Sequence, residues 1–245
     1  MTKAKIAAVI LGAGKGTRMN SDLPKVMMPV CGKPMIRRVI DTLEALGADD
    51  IVTVVAPDGD LVKEEVSPYP TCVQERQLGT GHAVLSAKVL LDKYEGDVMV
   101  IFGDTPLITK ETYQRVIDKR REGYALVVLG FRPEDPARYG RLKMQGNELE
   151  KIVEYKDATE EERAINLCNS GFMCFDGRTM FEILEQISNE NAAHEYYLTD
   201  TVAIARQKGL KCTVVEGAAE EVASANTREE LALLESFLSK RGRVA

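Results

Sequence analysis

The sequence predicts an α/β protein with a doubly wound, mostly parallel, Rossmann-like central sheet and a small antiparallel subsheet. Three observations carry this. Strand and helix signals alternate through residues 6–131, the βαβα order of a parallel sheet. The apolar run 6–11 opens directly into a glycine-rich, basic loop, Gly12-Ala13-Gly14-Lys15-Gly16-Thr17-Arg18. In the second half, Gly146-Asn147 separates two strand-like runs, a strong hairpin signal.

The elements follow in order. Residues 6–11 are continuously apolar, as a strand buried on both faces must be. Residues 34–46 carry Met35, Ile36, Val39, Ile40, Leu43 and Leu46 at helical spacing and stop at Gly47. Strands at 51–55 and 71–74 flank a short helix at 60–66, and a helix is expected over 81–91. The strand 97–102 runs into Gly103-Asp104-Thr105-Pro106, followed by a helix at 109–122 and a strand at 125–131. The hairpin pairs 141–144 with 149–155. A strand at 167–175, a helix at 178–187, a polar loop at 189–195, a helix at 198–207 and a strand at 211–215 follow. Thr227-Arg228-Glu229-Glu230 fits a capping box that opens a last helix through Leu238. No Gly-, Ser- or Pro-rich linker and no repeat interrupts this series. One domain, 1–245, is expected, with halves at about 1–105 and 106–226 and a C-terminal helix and tail at 227–245.

Composition excludes several classes. Hydrophobic residues make up 44% and charged residues 29%, as in ordinary globular domains. The net charge of −6 argues against a general nucleic-acid binder. Cys31, Cys72, Cys168, Cys174 and Cys212 show no CxxC spacing and read as reduced thiols of a cytoplasmic protein. His82 and His194 are too few and too far apart for a His-rich zinc site. The apolar run after residues 1–5 is too short for a signal peptide, and none is long enough to span a bilayer. No oligomeric state is implied.

The glycine loop carries the chemistry. Glycines let the backbone approach a bulky anion, and free N–H groups in such a turn form a concave anion site. Lys15, Arg18 and Lys25 add positive charge. A dinucleotide fingerprint fails, because Thr17 stands at the third glycine position and no acid closes the second strand, where Val55 and Ala56 stand. A Walker A loop fails for want of a Gly-Lys-Ser or Gly-Lys-Thr ending. A plain turn is the bland alternative, and three glycines with three cations argue against it. Asp104 stands at the carboxyl end of a strand, where a carboxylate can hold Mg²⁺, although Asp also simply favours turns. Gln74 could read a base edge with its amide while Gly79 lets the base approach. Taken alone, that loop reads better as a helix N-terminus capped by Thr80. His82 reads as a polar residue in a first helical turn, His194 as solvent-facing, and Glu160-Glu161-Glu162 as a solvated face.

Taken together, these segments resemble the sugar-nucleotide pyrophosphorylase family. The ordered motifs are L-G-A-G-K-G-T-R-M, P-K-V, G-K-P-M, Q-L-G-T-G-H, G-D-T-P-L, Y-G-R, I-V-E-Y-K-D-A, N-S-G, E-Y-Y-L-T-D and A-N-T-R, spanning residues 6–238. Residues 154–158 with 195–200 are most similar to the uridylyltransferase domains of the bacterial UDP-N-acetylglucosamine branch. The resemblance implies a nucleotidyltransferase fold with the antiparallel subsheet over a sugar pocket. It also implies a reaction: UTP and N-acetylglucosamine 1-phosphate give UDP-N-acetylglucosamine and pyrophosphate by in-line attack on the α-phosphorus. By the same resemblance Arg18 and Lys25 neutralise the triphosphate. Leu11, Gly12, Gly14, Gln74, Gly79, Thr80 and Gly103 surround the nucleotide. Gly140, Glu154, Asn169, Tyr197 and Lys156 line the sugar pocket, and Asp104 with Asn226 holds Mg²⁺.

The chain departs from the pattern in places. Gly12 replaces an Ala and is expected to loosen the base side; Phe102 replaces a Tyr; Arg76 replaces an acidic residue. No hexapeptide repeat of a β-helix acetyltransferase is present in the 245 residues, so that activity is not carried over. A pyrophosphorylase for another sugar phosphate or nucleotide, such as glucose 1-phosphate with UTP or dTTP, is the near alternative. A non-catalytic nucleotide-sugar sensor is a more distant one, disfavoured by the presence of Lys25, Asp104 and Asn226 together.

Overall fold

The computed structural model of the chain describes residues 4–14 and 23–241. The first half holds β1 (Lys5–Leu11), a 3-10 turn (Lys25–Met27), β2 (Pro29–Val30), β3 (Lys33–Pro34), α1 (Met35–Leu46) and β4 (Asp50–Val55). It continues with α2 (Asp60–Val66), β5 (Thr71–Val73), α3 (Thr80–Leu85), α4 (Lys88–Leu91) and β6 (Gly96–Phe102). Then come α5 (Lys110–Arg121), β7 (Leu126–Phe131), β8 (Arg141–Gln145), β9 (Glu148–Val153), α6 (Glu160–Arg163) and β10 (Cys168–Asp176). The chain closes with α7 (Gly177–Leu184), α8 (Asp200–Gln207), β11 (Cys212–Glu216) and α9 (Arg228–Arg241).

The central sheet runs β11-β7-β10-β6-β1-β4-β5, with β8 and β9 extending it beside β10. Along the seven-strand path only β10 is antiparallel to its neighbours, β6 and β7, so the expected mostly parallel sheet is present. β1 shows why the centre is stable. Ala7, Val9 and Leu11 enter one apolar layer, and Ile6, Ala8 and Ile10 enter the other. Helices α1, α2 and α5 cover the second face; α3, α7 and α8 cover the first. A third cluster of Val30, Met35, Leu107, Ala225 and Leu234 seats α9 beside the β2–β3 ribbon. Cys31 and Gly32, both at positive φ, turn that two-residue hairpin.

The structure corrects some boundaries. The helix expected over 81–91 is split into α3 and α4. Ser86 and Ala87 bond to carbonyls three residues back, and the Ser86 hydroxyl donates to the His82 carbonyl, which tightens the turn. The strand expected through residue 155 ends at Val153, because Glu154 opens a turn whose carbonyl accepts from Asp157 N–H at 3.0 Å. The antiparallel hairpin β8–β9 belongs to the main sheet, joined by the pairing of Arg141 with Cys168. Glu162 is more than part of a solvated face. It completes a capping box with Thr159 and pairs with Lys151 at 2.8 Å, and these contacts hold its carboxyl down at about 2. Among the described residues no helix is long and apolar enough to cross a membrane.

Candidate active site

The parallel register sets Leu11 beside Phe102, so the loops after β1 and β6 leave the sheet together at its carboxyl edge. Gly103 N–H donates to the Leu11 carbonyl at 3.0 Å and keeps them together. A Cβ on Gly103 would lie 3.0 Å from Val26 Cγ1, so glycine there permits the 3-10 turn to close over the strand ends. That turn delivers Lys25. Its Nζ is ion-paired with the Asp104 carboxylate and donates to Asn226 Oδ1 at 2.7 Å, from 201 residues away in sequence. Two oxygens from separate loops thus already share one cationic atom. Among the described residues no cluster of three or more His, Cys, Asp or Glu could hold a metal. One carboxylate and one amide oxygen suit Mg²⁺, which keeps waters and takes its other ligands from substrate phosphates.

A cleft of about 310 Å³ opens in front of this group. Leu11, Ala13, Gly14, Lys25, Gln74, Gly79, Thr80 and Asp104 line it, together with Gln77, Phe102 and Glu195. Gln74 is buried, and its side-chain Nε2 lies 3.1 Å from Gly79 O and 3.3 Å from His82 Nδ1. Gln77 Nε2 donates to Ala13 O at 2.6 Å and ties the 74–81 loop to the start of the glycine loop. Gly79 adopts φ +119°, and a Cβ there would meet the Tyr196 carbonyl oxygen at 2.6 Å. Three bonds lace this loop to residues 196–198. Gly81 N–H donates to Tyr196 O at 2.8 Å, Tyr196 N–H to Leu78 O at 2.8 Å, and Leu198 N–H to the Thr80 hydroxyl at 3.1 Å. The Thr80 hydroxyl thus serves the far loop, which corrects the expected cap: α3 begins at Thr80, Gly79 is its N-cap, and no side chain caps that end.

A second pocket lies beyond Glu195, which lines both. Glu154, Tyr155, Lys156 and Tyr197 form its walls, with Arg138 at the mouth. The hairpin β8–β9 sets Gly140 and Glu154 side by side, and a Cβ on Gly140 would lie 3.5 Å from Glu154 Oε1 and 3.6 Å from Asn169 Cβ. Asn169 N–H donates to Gly140 O at 2.8 Å. A bulge in β10 between Asn169 and Met173 lifts this stretch out of register, with Gly171 at φ +89° packed on the Phe102 ring. The Thr199 hydroxyl donates to Glu154 Oε1 at 3.1 Å. Burial still raises the Glu154 carboxyl above its usual range, with Asp157, Asp200 and Glu195 adding to the effect. Burial does the same to Asp200 and Tyr197.

The sequence profile of the MobA-like NTP transferase domain family matches residues 8–196. The chain belongs to this family. Bifunctional protein GlmU of Paramagnetospirillum magneticum is 49% identical over 247 residues, covering 100% of this chain and 55% of that protein. Bifunctional protein GlmU of Rhodospirillum rubrum is 52% identical over 239 residues, covering 97% of this chain and 54% of that one. The chain spans about half the length of the curated relatives it matches. Among solved structures, a Bacillus anthracis protein provisionally named a glucose-1-phosphate thymidylyltransferase, in complex with sucrose, superposes with a TM-score of 0.77. It is 20% identical, with 95% of this chain and 94% of that chain covered, and shows a shared fold.

Set against the sequence-based expectations, Lys25, Asp104 and Asn226 meet, and Leu11, Gly14, Gln74, Gly79 and Thr80 share one cleft. Glu154, Lys156 and Tyr197 share the second pocket, with Gly140 and Asn169 at its back. Arg18, Lys15, Gly16 and Thr17 lie outside the described residues. Gly12 is a correction. Its missing Cβ points at Val54 O, 3.2 Å away, and Thr53 Cγ2, 3.3 Å away, so the glycine serves packing on β4 and does not loosen the cleft. Sequence reasoning passed over Gln77, Glu195 and Thr199, and read His82 only as a polar residue of a first helical turn. Gln77 and His82 stood inside a loop already singled out; Glu195 and Thr199 stood inside a quoted motif.

Proposed function

We propose that the chain is a nucleotidyltransferase that forms UDP-N-acetylglucosamine and pyrophosphate from UTP and N-acetylglucosamine 1-phosphate. The observation that carries this is the Lys25–Asp104–Asn226 group, set beside a cleft that meets a second pocket at Glu195. The GlmU relatives, matched along 97–100% of the chain, support the choice of substrates. The domain halves then divide the work: residues 1–105 take the nucleotide and 106–226 the sugar.

A sugar-phosphate oxygen attacks the α-phosphorus, the P–O bond to the β-phosphate breaks, and pyrophosphate leaves. Such chemistry depends on positioning and charge neutralisation more than on a general base. Lys25 neutralises charge building on the α-phosphate, aided by Arg18. Gly14, Gly79 and Thr80 bring backbone and hydroxyl groups to the nucleotide. Gln74 reads the base, and Leu11 and Gly103 shape the floor beneath it, with Gly12 behind them packed on β4. Glu154 accepts from sugar hydroxyls while Asn169 donates. Gly140 leaves room for the ring, Tyr197 packs beside it, and Lys156 meets the sugar phosphate. Asp104 and Asn226 would hold Mg²⁺, which when bound supplies Lewis-acid charge neutralisation and a template for the phosphates. The free thiols among the described residues, four of five buried, support a cytoplasmic setting.

Pyrophosphate release tests this directly, with Mg²⁺ and four nucleoside triphosphates against N-acetylglucosamine, glucose and mannose 1-phosphates. Release confined to UTP with N-acetylglucosamine 1-phosphate is expected. Release with a different pair moves the substrate assignment, and UTP binding without release from any pair favours a nucleotide-sugar sensor.

A further inference from the structure

We propose that His82 is a positioning residue for base selection, locking the buried Gln74 amide in the one orientation that offers its oxygen to a nucleobase. The inference rests on the reading of Gln74 as the base-contacting residue. Two neighbours fix that amide. Gly79 O, 3.1 Å from Nε2, can only accept, so the NH₂ end must face it. The second proton of that NH₂ then points at His82 Nδ1, 3.3 Å away. With the amide oriented by a carbonyl, Nδ1 is the acceptor of this contact and the ring N–H lies on Nε2. The group Gln74 has left for a ligand is Oε1.

Neither neighbour can give way. Gly79 is pinned at φ +119° against the Tyr196 peptide, so its carbonyl cannot turn without breaking the loop. His82 sits on α3, whose start is bonded to Tyr196 O through Gly81 N–H. Tyr196 faces the imidazole from residues 196–198, ring centroids 6.2 Å apart, and Gln74 faces it from the base loop. Among the described residues no ion pair involves His82. Flipping the amide would set Oε1 against the Gly79 carbonyl, acceptor against acceptor.

The chemical consequence is selectivity. Uracil carries an N3–H that donates to Oε1; cytosine carries an N3 lone pair that repels it. An amide free to rotate would satisfy either base by turning its NH₂ outward. The Gly79 carbonyl and the imidazole, each accepting one proton of the NH₂, together remove that freedom.

The test is direct binding of UTP and CTP to the intact protein and to Gln74→Ala, His82→Phe and His82→Asn, with kcat and KM for each. His82→Phe should narrow the UTP-over-CTP preference about 10-fold, the scale of one lost hydrogen bond, with the change falling on KM more than kcat. His82→Asn, which restores an acceptor oxygen, should recover most of the preference. A His82→Phe protein that keeps the full preference overturns the proposal. If Gln74→Ala loses UTP affinity while His82→Phe behaves as the unmodified protein, the His82 role alone is wrong. If Gln74→Ala binds UTP normally, the base reading fails and takes the proposal with it.

Discussion

Burial lifts the Glu154 carboxyl above its ordinary range, and this sets two properties moving in opposite directions. A carboxylate raised in the folded state makes the folded protein more stable as pH falls through that raised value; the contribution is lost again as pH rises through it. A sugar hydroxyl, however, needs the ionised form as acceptor. As pH falls from neutrality toward the ordinary carboxylate range, thermal stability of the free protein should therefore gain from Glu154 while affinity for the sugar 1-phosphate falls. Glu154→Gln should flatten both curves, which melting and binding titrations would show. At the other end of the cleft, Lys25→Ala should reduce kcat by at least about 100-fold, the cost of one lost charge-stabilising donor, while shifting the melting temperature by only a few degrees. Steady-state rates with a melting curve on the same preparation decide it. Lys25 was legible as a cation of the glycine loop; Asp104 stood at a strand end where a plain turn was an equal reading, and Asn226 was named only through the family resemblance. The part played by His82 was not legible. It depends on which way a buried amide points, and that is fixed by a glycine carbonyl that no residue pattern reports.

At the scale of elements, the strands and helices were readable wherever an apolar period ran unbroken. β1 and α1 follow the expected limits within one residue, and α2 matches at both ends. Reading failed where a local bond outweighed the period, as at Ser86 in the α3–α4 break and at Glu154 in the turn after β9. It also missed the direction of β10, because pairing partners lie far apart in the chain and both faces of a central strand are apolar. The 74–81 loop gives a sharp test. Gly79→Ala places a methyl group 2.6 Å from a main-chain oxygen at a φ that side chains avoid. It should cost about 1–3 kcal/mol and raise KM for UTP, measurable by urea unfolding and kinetics. Tyr113 on α5 offers the reverse case. Its ring packs edge-on to Phe172 at 5.0 Å, yet its buried hydroxyl has no hydrogen-bond partner. Tyr113→Phe should stabilise the protein by about 1 kcal/mol in the same unfolding assay.

Across the whole molecule, one buried charge joins distant parts of the sheet. Asp97, fully enclosed at the start of β6, pairs with Arg120 and Arg121 on α5. Arg121 also donates to Ala4 O at 3.0 Å, at the edge of β1. Asp97→Asn would strand two partly buried guanidinium groups and should cost about 3 kcal/mol, seen as an earlier urea midpoint with an unchanged slope. The mixed sheet has the same unifying effect. β10 from the second half lies between β6 and β7, so the two halves share one ladder and one pair of apolar layers.

The lacing of the 74–81 loop to residues 196–198 has a meaning for biosynthesis. Thr80 and Leu198 are 118 residues apart, and the loop takes its shape from bonds that exist only when both are present. While the chain is still emerging from the ribosome, its glycine loop and Gln74 are exposed long before their supports are made. A nascent chain ending before residue 196 would carry every nucleotide-facing residue except Asn226 and still lack a formed base pocket. Competence to capture a triphosphate would thus arrive late in translation, after most of the sugar half has been synthesised.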